Sequence, residues 1–283
     1  MNGGWPFENG LRKVLPSMPQ NKPRSVFRFS LRFLLLGMLV VCVALGWRAG
    51  RAYQQRKAVA WVRSHGGTVE YAYQKRDATG YPLPSHLPGP TWLRNLVGID
   101  FLDDVTSVSL SGAKVSDLTP LSGLPELRSL WLCENPFSDI TPIGGLKKLE
   151  WLDISQSKVS DLTPLIKLSK LRFLYIHATP NVVDISALAN VKNLEQLYAS
   201  NTPITDVTPL AQLQVLNHID LLDSDVSDLS PLRDLPSLRS LRFRGGQVSD
   251  LSPLKELGAV QLIIWRGGKL EIPTSLEDQI IWQ

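Results

Sequence analysis

One five-residue phrase, Asp-aliphatic-Ser/Thr-Pro-aliphatic, recurs down the chain and limits what it can fold into. It reads Asp117-Leu-Thr-Pro-Leu121, Asp139-Ile-Thr-Pro-Ile143 and Asp161-Leu-Thr-Pro-Leu165. It continues as Asp184-Ile-Ser-Ala-Leu188, Asp206-Val-Thr-Pro-Leu210, Asp228-Leu-Ser-Pro-Leu232 and Asp250-Leu-Ser-Pro-Leu254. The intervals are 22, 22, 23, 22, 22 and 22 residues. A near-constant short period means stacked copies of one small unit, none of which can bury its apolar face alone.

An L-x-x-L-x-L pattern precedes each phrase. The inward triplets are Val105/Val108/Leu110, Leu127/Leu130/Leu132, Leu149/Leu152/Ile154 and Leu171/Leu174/Ile176. Leu194/Leu197/Ala199, Leu216/Ile219/Leu221 and Leu238/Leu241/Phe243 follow, and Val260/Ile263/Trp265 make an imperfect eighth. Alternation across the last pair of each triplet predicts a short strand with one buried face. The Asp side chain can accept the backbone N–H two residues on and so turn the chain. Ser or Thr is then expected as a helix N-cap, with Pro as the first helical residue, where its missing N–H costs nothing. Leu121 and Leu124, three apart, would lay that turn on the core.

These phrases resemble leucine-rich repeats, and the I-x-D-I-x-P-L wording is similar to the 22-residue internalin-type repeat of bacterial surface proteins. The resemblance covers about residues 101–265. It implies an α/β solenoid with a parallel sheet on the concave face and short helical turns on the convex face, the repeats occupying 105–265. The family commonly carries Asn three residues after the third strand leucine. Here those positions hold Ala113, Asn135, Ser157, Thr179, Thr202, Ser224, Gly246 and Gly268, so Ser/Thr side chains or backbone must satisfy the turn. The flanks, including FSLRFLLLGMLVVCVALGW and PGPTWLRNLVGIDFLDDVTSVSL, resemble membrane-anchored leucine-rich repeat proteins of planctomycete bacteria, a group that implies no particular activity.

Little in the chain points to catalysis. Two cysteines, Cys42 and Cys133, make neither a disulfide framework nor a Cys-based zinc site. The four histidines, His65, His86, His177 and His218, lack metal-ligand spacing, and P-loop, GxGxxG and GxSxG motifs are missing. A non-enzyme without cofactor or metal is expected. Charge divides unevenly. Residues 1–57 hold ten Lys/Arg against Glu8 alone, and the other 226 hold twenty basic against twenty-five acidic residues. The repeats are therefore mildly acidic and unsuited to nucleic acid.

Phe33 to Trp47 runs fifteen residues without a charge. That is roughly 22 Å of helix, short of a hydrocarbon core of about 30 Å. Extension over 29–50, with Arg32 and Arg48 snorkelling, closes most of the gap. Three readings are open: an uncleaved single-pass anchor, a cleaved signal peptide giving an exported soluble protein, and a lipoprotein signal at Cys42. The anchor leads, because no A-x-A site follows and Val41 is bulky for a residue preceding a lipidated cysteine. Flanking Lys/Arg are nearly tied, four before and five after. The basic-then-apolar order places residues 1–28 as a cytoplasmic tail and the repeats outside the cytoplasmic membrane. Residues 51–104 read as a juxtamembrane helix ending at Gly66-Gly67, a strand over Thr68–Gln74, a loop through Pro82, Pro84, Pro88 and Pro90, and the N-terminal cap. Residues 266–283 are expected to cap the other end.

Function in a solenoid lies at the outward positions of its sheet. One row reads Ser107, Ser129, Trp151, Phe173, Gln196, His218, Ser240, Leu262, and the next reads Ser109, Trp131, Asp153, Tyr175, Tyr198, Asp220, Arg242, Ile264. The third reads Ser111, Cys133, Ser155, His177, Ser200, Leu222, Arg244, Arg266. The candidate partner-binding residues are Trp131, Trp151, Phe173, Tyr175, His177, Tyr198, His218, Arg242 and Arg244. Aromatic residues are favoured interface anchors, and they also stack across strands with no ligand. Arg242 is expected to pair with Asp220 rather than hold an anion. Asp153, Ser155 and His177 have triad residue types but no oxyanion hole, and the turn aspartates lack the Gly-rich calcium phrase. The expected function is recognition of a protein, or a cell-envelope polymer, through the concave face. A structural spacer or self-association element of the envelope is the alternative.

Overall fold

Each sequence repeat forms one coil of a spiral: a short strand, a turn, and a 3₁₀ turn that returns to the next strand. The protein is described here from a computed structural model, which covers residues 31–74, 86–244, 247–255, 257, 261–265, 276, 278 and 280–282. The tail read over 1–28, Pro82, Pro84, Gly246, Arg266, Gly268 and most of the 266–283 cap fall outside them.

Two compact units divide the chain, residues 1–44 and 45–283. In the first, residues 31–44 are helical with exposed side chains and begin α1 (Leu31–Ser64). This helix is long and apolar enough to cross a membrane, a property that an anchor and a signal sequence share.

In the second unit, strands pair in sequence order from β1 to β10 in one sheet. β1 (Thr68–Tyr71) lies antiparallel to β2 (Val105–Ser109). β3 (Ser129–Trp131), β4 (Trp151–Asp153), β5 (Phe173–Tyr175), β6 (Gln196–Tyr198), β7 (His218–Leu221) and β8 (Ser240–Arg244) continue in parallel. β9 (Gln261–Trp265) and β10 (Ile280–Trp282) extend it, so part of the expected C-terminal cap is a further parallel strand. One coil shows how the core is made. Leu149, Leu152, Ile154, Val159, Leu162, Leu165 and Leu168 all point inward, none more than 2% exposed. Leu152 stacks between Leu130 and Leu174 in register, so each layer is buried by the next.

The turns follow the aspartate column, with one correction. In all seven copies Asp Oδ1 accepts the N–H two residues on, at 2.7–2.8 Å. The 3₁₀ turn begins at that Ser or Thr, as in Thr119–Gly123 and Thr163–Lys167, and the hydroxyl does not cap it. The hydroxyl instead turns back to the Asp, as Ser186 Oγ does to Asp184 Oδ2 at 3.1 Å. The hydroxyl and then the backbone N–H hold Asp117, Asp139, Asp161, Asp206, Asp228 and Asp250 below the usual carboxylate range.

The missing asparagine ladder is replaced as expected. Asn135 Nδ2 reaches the Leu110 and Leu132 carbonyls at 2.8 and 2.9 Å. Thr179, Thr202 and Ser224 hydroxyls donate to the carbonyl three residues back. One residue earlier in each coil lies a left-handed position: Gly112, Glu134, Gln156, Ala178, Asn201 and Asp223 all have φ between 50° and 68°. There the chain bends so that the N–H reaches the next coil's carbonyl, as Ala178 does to Ser200 at 2.9 Å.

The N-terminal cap is held by α1 from Arg48 onward. Arg48, read above as snorkelling at the membrane edge, donates from Nε to the Phe101 carbonyl at 2.8 Å and pairs with Asp104 at 3.0 Å. Arg51 bridges Asp104 and Glu126 at 3.3 and 3.2 Å. Buried Gln55 donates to Asp100 Oδ1 and the Asp103 carbonyl and accepts the Val105 N–H. Tyr71 donates its hydroxyl to the same Asp100 at 2.8 Å, and burial, then that bond, raises its pKa. Gly67 permits the close approach of helix end to sheet: a Cβ there would sit 2.6 Å from Leu110 Cδ2 and 2.7 Å from the Ser109 carbonyl.

The eighth repeat corrects the sequence register. Gln261 pairs with Ser240, 21 residues on rather than 22. Leu262 and Ile264, expected outward, are therefore buried, and Ile263 takes the outward row beside Arg242. The Leu-Ile-Ile run is apolar on both faces, so alternation alone could not set its register.

Candidate functional site

The outward rows of β3 to β7 bring the aromatic candidates into one stack. Cross-strand register puts Trp131 beside Asp153, Trp151 beside Phe173 and Tyr175 beside Tyr198. Large rings reach diagonally as well. The resulting chain runs Trp131–Trp151–Tyr175–Tyr198–His218, with centroids 6.3, 5.1, 4.3 and 4.7 Å apart. Tyr175 and Tyr198 stack with nearly parallel planes, at 4°, and Phe173 adds a branch 4.8 Å from Trp151. The rings are half-buried in one another rather than freely exposed. The stack is thus a pre-formed ridge whose rotamers are already fixed, and docking on it orders little that is mobile.

The rings themselves carry no charge, and the Asp153 carboxylate stands in the same row between Trp131 and Tyr175. Burial lowers the His218 pKa against an opposing effect of Asp220, and Arg242 lowers it further, so the imidazole is neutral near pH 7. Burial and then the Tyr198 neighbour raise the Tyr175 phenol. Beyond His218 the surface turns ionic. Arg242 donates to buried Asp220 at 2.8 Å, as expected, and Arg244 pairs with Asp223 at 2.5 Å. Asp220 also accepts the Leu222 N–H at 3.1 Å. His177 is half-buried, two residues along from Tyr175 at the next coil position, and its carbonyl accepts the Gln156 N–H.

Asp153, Ser155 and His177 do not form a reacting group. Asp153 Oδ1 accepts the Ser155 backbone N–H at 3.0 Å, while the Ser155 side chain is fully buried and its Oγ has no hydrogen-bond partner. A nucleophile needs its base within hydrogen-bond reach and access to substrate. Among the described residues no cluster of His, Cys, Asp and Glu could hold a metal ion. Four buried polar atoms lack a partner among the described residues: Trp151 Nε1, Ser155 Oγ, His218 Nε2 and Arg242 Nε. All belong to this face. The sequence reading missed a second feature, the serine-lined surface where Ser107, Ser109 and Ser129 precede the first ring. The run VTSVSLS at 105–111 was its only signal.

A spiral of L-x-x-L-x-L coils with a concave parallel sheet and 3₁₀ turns behind it is a leucine-rich repeat solenoid. Solved structures share this fold. Internalin C2 from Listeria monocytogenes superposes with TM-score 0.59 at 25% identity, over 65% of this chain and 82% of that one. An internalin F from the same species gives TM-score 0.57 at 28% identity, over 62% of this chain and 59% of that one. A leucine-rich repeat protein from Leptospira interrogans matches at 19% identity and TM-score 0.47, over 51% of this chain and 39% of that one. No protein-family model matches the chain, and no curated protein sequence matches it. The chain has the leucine-rich repeat fold and is similar to bacterial internalins.

Proposed function

We propose that this chain is a membrane-anchored recognition module that binds a protein through its concave face and acts by binding rather than catalysis. The observation that carries the reading is the aromatic ridge from Trp131 to His218, a stack of rings continuous over five strands. Aromatic side chains fixed before contact are the residues that dominate interface energies. The apolar start of α1 supports anchoring, and the basic-then-apolar order of the sequence is the ground for placing the repeats outside the cytoplasm. The likeness to internalins favours a protein partner over an internal scaffold role.

Full-length chain in detergent, used as bait in an extract of the source cells, tests the reading. Wild type should recover a partner that Trp131→Ala/Trp151→Ala loses while the variant still melts cooperatively. Equal recovery by both proteins would contradict it. Protease added to intact spheroplasts should digest the repeats; full protection would overturn the proposed orientation.

A further inference from the structure

The ring stack stops at Trp131, and what lies beyond it is chemically different. At the register of Trp131 the neighbouring β2 residue is Ser109, and beside Ser129 stands Ser107. One strand further, antiparallel β1 sets Thr68 opposite Ser109 and Glu70 opposite Ser107. The surface therefore drops from an indole to hydroxymethyl groups between adjacent strands. The step opens a cleft of about 650 Å³, with Trp131 as one wall. That volume lies within the roughly 300–1,000 Å³ of small-molecule sites.

The lining defines the ligand's chemistry. Serine and threonine hydroxyls, at Ser107, Ser109, Ser129 and Thr68, both donate and accept, so they suit a ligand that also presents groups of both kinds. Glu70, Gln74 and Arg128 also line the cleft, and Arg128 is already paired with Glu150 at 2.5 Å. A phosphate or other anion would meet no uncommitted guanidinium there. A wholly apolar ligand would cover the hydroxyls and leave them without hydrogen-bond partners. A pyranose ring satisfies both surfaces: its C–H face lies on an indole and its hydroxyls point to the floor.

We infer that this cleft binds a neutral saccharide, one ring stacked on Trp131 with its hydroxyls on Ser107, Ser109 and Ser129. The site is separate from the Trp151–Tyr198 part of the ridge and does not depend on that part taking a protein. Its occupant would be a residue of a glycan chain, whose neighbours can leave through the open top of the cleft.

The test uses full-length chain in a detergent without sugar headgroups. Cellotetraose, maltotetraose and tetra-N-acetylchitotetraose are titrated by tryptophan fluorescence and by saturation-transfer NMR. At least one should bind. Trp131→Ala should weaken it about 10-fold or more, the effect of losing a ring anchor. Ser109→Leu, which fills the floor, should weaken it similarly, and Trp151→Phe should leave it within about 3-fold. Unchanged melting of Ser109→Leu keeps the test valid if Trp131→Ala proves unstable. Binding of none of the three at about 10 mM, a free energy near 3 kcal/mol, would overturn the inference. So would binding that both cleft variants retain, or Trp131-dependent binding of a Ser/Gly-rich peptide in place of every sugar.

Discussion

Two lysine substitutions on neighbouring residues separate the two faces of the sheet. Leu152 is fully buried between Leu130 and Leu174, whereas Trp151 is half-buried on the concave surface. Leu152→Lys removes a packed leucine, worth about 2–5 kcal/mol. It also forces an ammonium into an apolar layer. Keeping a lysine of ordinary pKa near 10.4 neutral at pH 7 costs about 4–5 kcal/mol more. The total approaches the roughly 5–15 kcal/mol that holds a domain folded. Trp151→Lys loses ring contacts with Trp131, Phe173 and Tyr175, about 0.5–1.5 kcal/mol each, but its charge stays in water. Thermal melting by circular dichroism on detergent-solubilised chain reads the difference. Leu152→Lys should abolish the cooperative transition, and Trp151→Lys should keep it at a lower midpoint. The opposite ranking would mean a one-residue error in register, which exchanges the two faces of every strand.

Three further outcomes are expected. Gln55→Leu keeps the volume but strands the Val105 N–H, the Asp103 carbonyl and one bond to Asp100, so denaturant unfolding should show a loss of about 2–5 kcal/mol; a loss under about 0.5 would show that the cap does not depend on it. Ala178→Gly should hold stability or raise it by up to about 1 kcal/mol, since φ of 50° strains an L-residue, and Ala178→Val should lower it; a clear loss with glycine would contradict the left-handed column. His218 has a folded pKa below its unfolded value, so the unfolded chain takes up the proton first and stability should fall as pH drops from about 6.5; His218→Gln should flatten the melting temperature over that window, and an unchanged slope would refute the cause.

How much of this was legible depended on whether a signal was periodic. The strands, their inward leucines and the aspartate turns recur at 22 residues, and β2 to β8 follow the expected rows. Alternation failed at β9, where Leu262, Ile263 and Ile264 give no polar face to orient the strand. The cap was legible only as a helix, a strand and two glycines. Its bonds join Arg48 to Asp104 and Gln55 to Asp100, residues 56 and 45 apart, and isolated long-range polar pairs leave no pattern in sequence. The ring residues could be placed on one face from the register, but their mutual stacking depends on diagonal side-chain reach. The serine-lined cleft was hidden because β1 pairs antiparallel, a pairing outside the repeat's own rule.

Site-specific photocrosslinking tests the recognition face most directly. A benzophenone amino acid is placed at Tyr175, on the ridge, or at Ile166, exposed on a 3₁₀ turn behind the sheet. Full-length protein is irradiated in the source cells and its adducts resolved by mass. A concave recognition site requires a partner adduct from Tyr175 and none from Ile166. Adducts from Ile166 alone, or equally from both positions, would contradict it.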